Sequence, residues 1–159
     1  MGIYLNPDSN RYERLCNSPV FVDKSLLIEY TNKAINTSND CICVTRPRRF
    51  GKSTDANMLV AYYSKGTNSK DLFNTLNINH CPSFLEHLNK HNVIHLNIQD
   101  FLSTTNSIDE MLVKINRMIL KDLKFEFKDV ITETGIIDAF NEVYAYTKNK
   151  FIFIIDEWD

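Results

Sequence analysis

No apolar run in the 159-residue sequence approaches the ~18 residues that a membrane-crossing helix needs. The opening stretch, "MGIYLNPDSNRYER", also lacks the basic start and long apolar core of a secretory signal. Gly2 follows Met1, but Asn6 stands where an N-myristoylation pattern wants Ser or Thr. Excess charge of one sign is missing too. The formal net charge is −2 and the pI is near 6.1, so there is no general pull toward nucleic acid or a membrane surface. Any polyanion must be met by a local patch. The expectation is a cytoplasmic protein with no membrane contact, and 43% hydrophobic residues suffice for one compact domain with a single core.

Paired cysteines at metal-binding spacing are absent as well. With no secretory signal, Cys16, Cys41, Cys43 and Cys81 are no argument for disulfides, and zinc would want tighter pairs. Cys41 and Cys43 alternate within an apolar run, so they are expected as buried reduced thiols on one strand face. His87, His91 and His95 recur every four residues, just after His80 and Cys81. His95, however, falls in the strand-like "VIHLNI", which breaks a helical register, and no metal cluster is expected.

What is present is an alternation of elements. "VFV" at 20–22 is a short β-type run, and Asp23 sits where an N-cap belongs, ahead of Leu26, Leu27, Tyr30 and Ala34 at helical spacing. After the polar turn "NTSND", "CICVT" reads as a strand covered on both faces. A helix from Lys52 to Ser64 follows, then two short helices in "SKDLFNTLNI" and "PSFLEHLNKH", and a buried strand in "NVIHLNIQ". Ser107 and Glu110 form a capping box before a stripe of Ile108, Met111, Leu112, Ile115, Ile119 and Leu123. An amphipathic helix over about 135–147 leads into "FIFII", a third apolar strand. Such an alternation implies an α/β chain with a parallel sheet covered by helices.

One stretch carries chemistry: "CICVTRPRRFGKSTDANML". A phosphate-binding loop needs a strand, a turn with inward N–H groups and a helix N-terminus, whose amides and dipole attract phosphate. Here the turn runs from Arg46 to Gly51, and Lys52 and Ser53 open the helix. Lys52 would reach the β- and γ-phosphates, and the Ser53 hydroxyl would coordinate Mg2+. Gly51 stands where the backbone passes closest to phosphate. Arg46 replaces the usual first glycine, but Pro47 can fix that turn instead. Arg48 and Arg49 add positive charge, and the expected nucleotide-contacting stretch is completed by Phe50 and Thr54. The second half of the constellation is "FIFIIDEWD": Asp156 would hold Mg2+ and Glu157 would orient and deprotonate the attacking water. A chance Gly-Lys-Ser in a basic turn, or a strand with a charged tip, are the bland alternatives. Two signatures, each directly after an apolar strand, argue against coincidence.

"VFVDKSLLI", "VTRPRRFGKS", "LFNTLNI" and "FIFIIDEWD" occur in an order that resembles the predicted AAA-ATPase-like family, whose members are similar to archaeal-type P-loop ATPases. The resemblance runs from about Val20 to the last residue and treats the arginine-rich loop as a family trait. It implies a three-layer P-loop NTPase fold, ATP and Mg2+ binding by Lys52, Ser53, Asp156 and Glu157, and packing of the Asp23–Lys24 segment near the nucleotide. Residues 1–19 would be an N-terminal extension and 20–159 a P-loop domain truncated on its C-terminal side, because the family's core continues past the acidic pair. The sheet is therefore expected to be incomplete, and hydrolysis by the chain alone weak or absent. A non-hydrolysing nucleotide- or protein-binding module, self-associating through an open sheet edge or joining a missing C-terminal region, stays open as the alternative. A nucleic-acid role for the basic cluster would need the full-length protein, since the chain is acidic overall and interleaves no aromatics with its basic residues.

Overall fold

The computed structural model describes all residues except Met1, Arg46, Arg48, Glu133 and Asp159. It divides into two compact units, one continuous over Asp8–Lys90 and one made of Met1–Pro7 with His91–Asp159.

The continuous unit is helical: α1 (Asn10–Cys16), α2 (Leu26–Ala34), α3 (Lys52–Tyr63), α4 (Lys70–Phe73), a 3-10 turn (Asn77–His80) and α5 (Phe84–His87). Aromatic rings fill its core. Tyr12 stacks on Phe73 at 5.3 Å between centroids, and Tyr62 meets the edges of Tyr63 and Phe73 at 4.8 and 5.6 Å. Buried hydroxyls need partners, and Asn32 supplies them: its amide donates to the Tyr62 hydroxyl at 3.0 Å, and its carbonyl accepts from Tyr63 at 2.7 Å. Burial pushes the Tyr62 phenol up to about 12. At the C-terminal end of α3, Asn89 gathers the chain with a left-handed backbone, φ +55°. Its amide lies 3.1, 3.3 and 3.2 Å from the carbonyls of Ala61, Tyr62 and Ser64, which a helix end leaves without intrahelical donors.

Several expectations shift here. The helix expected behind Asp23 starts at Leu26 with Ser25 as N-cap, and Asp23 instead accepts the Ser25 N–H at 2.8 Å. Leu26 and Tyr30 face solvent, and Ile28 and Asn32 are the buried positions. Residues 41–45, expected as a doubly covered strand, form no regular element, and Cys41 and Cys43 are exposed and not buried. Val20 and Val22 are likewise exposed and irregular. The physical reason is shared: β-forming side chains favour a pleated, covered surface, but a strand exists only by pairing, and no described strand pairs with either segment.

In the discontinuous unit, β1 (Asn92–Asn97) pairs in parallel with β2 (Phe151–Asp156), in register from Asn92↔Phe151 to Asn97↔Asp156. Between them in sequence come α6 (Ile98–Leu102), α7 (Ile108–Glu126) and α8 (Ile136–Thr147). The other side of β1 is taken by the first residues: Leu5 bridges Ile94 antiparallel, Asn6 N–H donates to the Val93 carbonyl at 2.8 Å, and His95 N–H donates to the Tyr4 carbonyl at 2.9 Å. The Asp122 carboxylate of α7 accepts from the Tyr4 and Leu5 N–H groups at 2.7 and 3.2 Å, anchoring that segment. Among the described residues the sheet has two strands and not the expected three.

Helix α7 starts as expected, with Ser107 Oγ accepting from the Glu110 N–H at 3.1 Å, but Glu110 returns the bond to Asn106 N–H at 2.9 Å, one residue before the cap. Met111, Ile115, Ile119 and Leu123, one helical turn apart, are buried in a core with Leu5, Ile94, Leu96, Ala139 and Val143. Ile108 and Leu112 belong to the expected stripe yet are 67% and 49% exposed. They lie off the strict four-residue row, so the buried face is narrower than the sequence implies. Strand β2 also departs from expectation. Ile154 and Asp156 are buried, whereas Phe153 and Ile155 are 51% and 49% exposed, so one face of "FIFII" is covered and the other is half open. Phe140 of α8 still packs on Phe151 and Phe153 at 4.8 and 5.6 Å.

Candidate functional site

The loop half of the expected site lies in the continuous unit and the acidic half in the discontinuous one. Arg46 and Arg48 lie outside the described residues. Pro47, Arg49 and Phe50 are exposed, and Gly51 is the N-cap of α3, followed by partly buried Lys52, Ser53 and Thr54. The order of turn, lysine, hydroxyl and helix is therefore realised, with the Gly51 carbonyl accepting the first helical bond from Asp55 N–H at 2.9 Å. Gly51 has φ +81°, a region that side-chain-bearing residues rarely enter. As N-cap it brings no side-chain acceptor, so the first-turn N–H groups are not capped from that position.

Left-handed backbone occurs at a few positions along the chain. Among the described residues, six non-glycine residues have positive φ. Asn6, Asn36 and Asn89 are of the type that tolerates it, and Lys148 is the C-cap of α8. The remaining two are Arg49, φ +70°, and Glu157, φ +53°, both at expected site positions. Each such residue costs on the order of 1–3 kcal/mol and concentrates where function requires it. Arg49 and Gly51 flank Phe50, which is not left-handed.

Two residues that the motif does not include complete the loop. Lys24 Nζ donates to the Phe50 carbonyl at 2.9 Å and pairs with Asp55 Oδ1 at 3.3 Å. Asp55 is buried in the first turn of α3, and among the described residues its Oδ1 makes no hydrogen bond beyond that ion pair. A Cβ built on Gly51 would stand 2.7 Å from Lys24 Nζ, so the lysine fills the flank that glycine leaves open. The sequence signal for Asp55 was an acidic residue in the first turn of an otherwise largely apolar helix. For Lys24 it was the resemblance alone.

Beside the loop opens a shallow cleft of about 260 Å3, lined by Leu15, Val20, Phe21, Val22, Lys24, Arg49, Phe50, Gly51 and Thr54.

In the other unit, Asp156 ends β2 buried, and Glu157 follows partly exposed, its N–H donating to Asp156 Oδ1 at 3.0 Å. Among the described residues no three His, Cys, Asp or Glu side chains gather as a metal cage, and no helix is long and apolar enough to cross a membrane.

Neither a curated protein nor a solved structure matches the chain. The family model described as predicted AAA-ATPase matches residues 10–159, nearly the whole sequence, and the chain belongs to that AAA-ATPase-like family of nucleotide-binding ATPases.

Proposed function

We propose that the chain is the ATP-binding part of a P-loop ATPase with the three-layer α/β fold. The observation that supports this best is the left-handed pair Arg49 and Gly51 at the head of α3, immediately before Lys52 and Ser53, in a member of a predicted ATPase family. The loop amides and Lys52 take the phosphates, with Arg46, Pro47, Arg48, Arg49, Phe50 and Thr54 around them. The cleft beside Phe50 takes the base.

The residues present fit Mg2+. The Ser53 hydroxyl and Asp156 carboxylate are hard oxygen donors, the ligand type this ion prefers. Bound there, the ion would neutralise charge on the phosphates. Glu157 orients and deprotonates the attacking water in the full-length enzyme.

The test is calorimetric titration with Mg-ATP. Lys52→Ala removes a charge-assisted contact and is expected to weaken binding ~10-fold or more. Glu157→Gln is expected to bind as the parent does and, in the full-length protein, to lose turnover. Parent-like binding by Lys52→Ala would refute the site, and parent-like turnover by Glu157→Gln would refute the base.

A further inference from the structure

The Asp23-Lys24-Ser25 segment is built as an anchor with a lysine between its two fixed points. The Asp23 carboxylate accepts N–H bonds from Ser25 and from Asn77, both at 2.8 Å. Ser25 is fully buried, and its Oγ accepts the Ile78 N–H at 3.0 Å. Both neighbours of Lys24 are thus tied to the 3-10 turn, which holds the lysine backbone in place. The lysine side chain reaches the loop carbonyl of Phe50 and the carboxylate of Asp55.

Two consequences follow from elementary geometry and charge. The Phe50 carbonyl and the Gly51 N–H belong to one planar trans peptide and point in opposite directions. Holding the carbonyl therefore fixes where the amide points. Asp55, buried one turn into α3, would repel a polyphosphate at the helix head if its charge stood alone. Lys24 opposes that charge. Glycine at 51 then has two reasons: its left-handed backbone, and the lysine occupying its flank.

The geometry points to Lys24 as a positioning residue of the phosphate loop: it sets the direction of the peptide between Phe50 and Gly51 and neutralises Asp55, so the loop is ready for a polyphosphate before one arrives. This rests on the nucleotide reading above, deepens it, and assigns Lys24 no contact with the ligand.

The sequence offers a clean probe, because it contains four glycines and a glycine-selective 15N label gives few signals. The protein is titrated with inorganic tripolyphosphate and with Mg-ATP, following the Gly51 amide. In Lys24→Met that amide is expected to move in the ligand-free protein, and both ligands to bind ~10-fold more weakly. Lys24→Arg, which keeps a cationic donor, is expected to recover most of the affinity. Replacing Asp55 by Leu in the Lys24→Met background is expected to recover part of it, because the uncompensated charge is gone. A Lys24→Met protein that binds like the parent overturns the proposal and leaves the nucleotide reading standing. Weaker binding with the ligand-free Gly51 signal unmoved overturns positioning in favour of direct phosphate contact. A parent that binds neither ligand overturns the nucleotide reading, and this proposal with it.

Discussion

Replacing Asn89 separates side-chain from backbone energetics at the end of the helix that presents the loop. Its amide nitrogen lies within 2.8–3.3 Å of five acceptors: the carbonyls of Ala61, Tyr62 and Ser64, Thr67 Oγ1 and Ser69 Oγ. Two N–H hydrogens can serve about two of these well at once. Its Oδ1 accepts from Ser69 N–H and Oγ at 3.1 and 3.2 Å. Asn89→Gly therefore removes three to four hydrogen bonds, each worth ~0.5–1.5 kcal/mol net, for a loss of about 1.5–6 kcal/mol. The backbone donation to the Tyr62 carbonyl at 2.7 Å survives in either variant. Asn89→Ala loses the same bonds and adds a left-handed penalty of ~1–2 kcal/mol at φ +55°. Glycine's greater freedom in the unfolded chain offsets ~0.5–1 kcal/mol of that difference. Alanine should thus fall below glycine by roughly 0.5–1 kcal/mol. Urea unfolding followed by far-ultraviolet circular dichroism measures both steps. A glycine variant within ~0.5 kcal/mol of the parent would refute the bonding account, and an alanine variant as stable as glycine would refute the conformational one.

The four-residue row on α7 gives a paired test: Leu123→Ala, at a fully buried site, is expected to cost about 2–5 kcal/mol, and Leu112→Ala under ~1 kcal/mol, by the same unfolding measurement. The Asp23 carboxyl gives a pH test. Burial alone would raise it, but hydrogen bonds from the Ser25 side chain and from the Asn77 and Ser25 N–H groups hold it below its ordinary value of 3.8. A depressed folded-state value stabilises the protein above the ordinary one and is lost as pH falls through the folded one. Asp23→Asn should therefore be less stable than the parent near neutrality, with the gap closing below about pH 4. A gap unchanged in acid would refute the assignment.

Helices were legible where local chemistry decides them. The break after Ser64 and the start at Ser107 follow from caps and turns that neighbouring residues supply. Ile42 and Val44 show where this fails, because a strand's existence depends on a partner that its own residues do not name. Phe153 and Ile155 make the same point for burial: an apolar run records tolerance for cover, not its presence. Gly51, Lys52 and Ser53 could be placed at a helix head because the change from turn to helix is local. Asp55 follows the loop directly in the first turn of α3, whereas Lys24 lies 26 residues before Phe50 and only folding brings it to the loop.

The pairing of Leu5 and Asn6 with β1 imposes a timetable on synthesis. These residues leave the ribosome well before their partners: Val93 and Ile94 emerge only after all of Asp8–Lys90, and Asp122 later still. The loop-bearing unit, contiguous in sequence, has everything it needs to close while translation continues at roughly 5–20 residues per second. The opening residues must meanwhile stay unpaired, and their late contacts give this unit a high contact order and slow assembly. The turn that carries Arg49 and Gly51 thus emerges on the nascent chain ahead of the strand that carries Asp156.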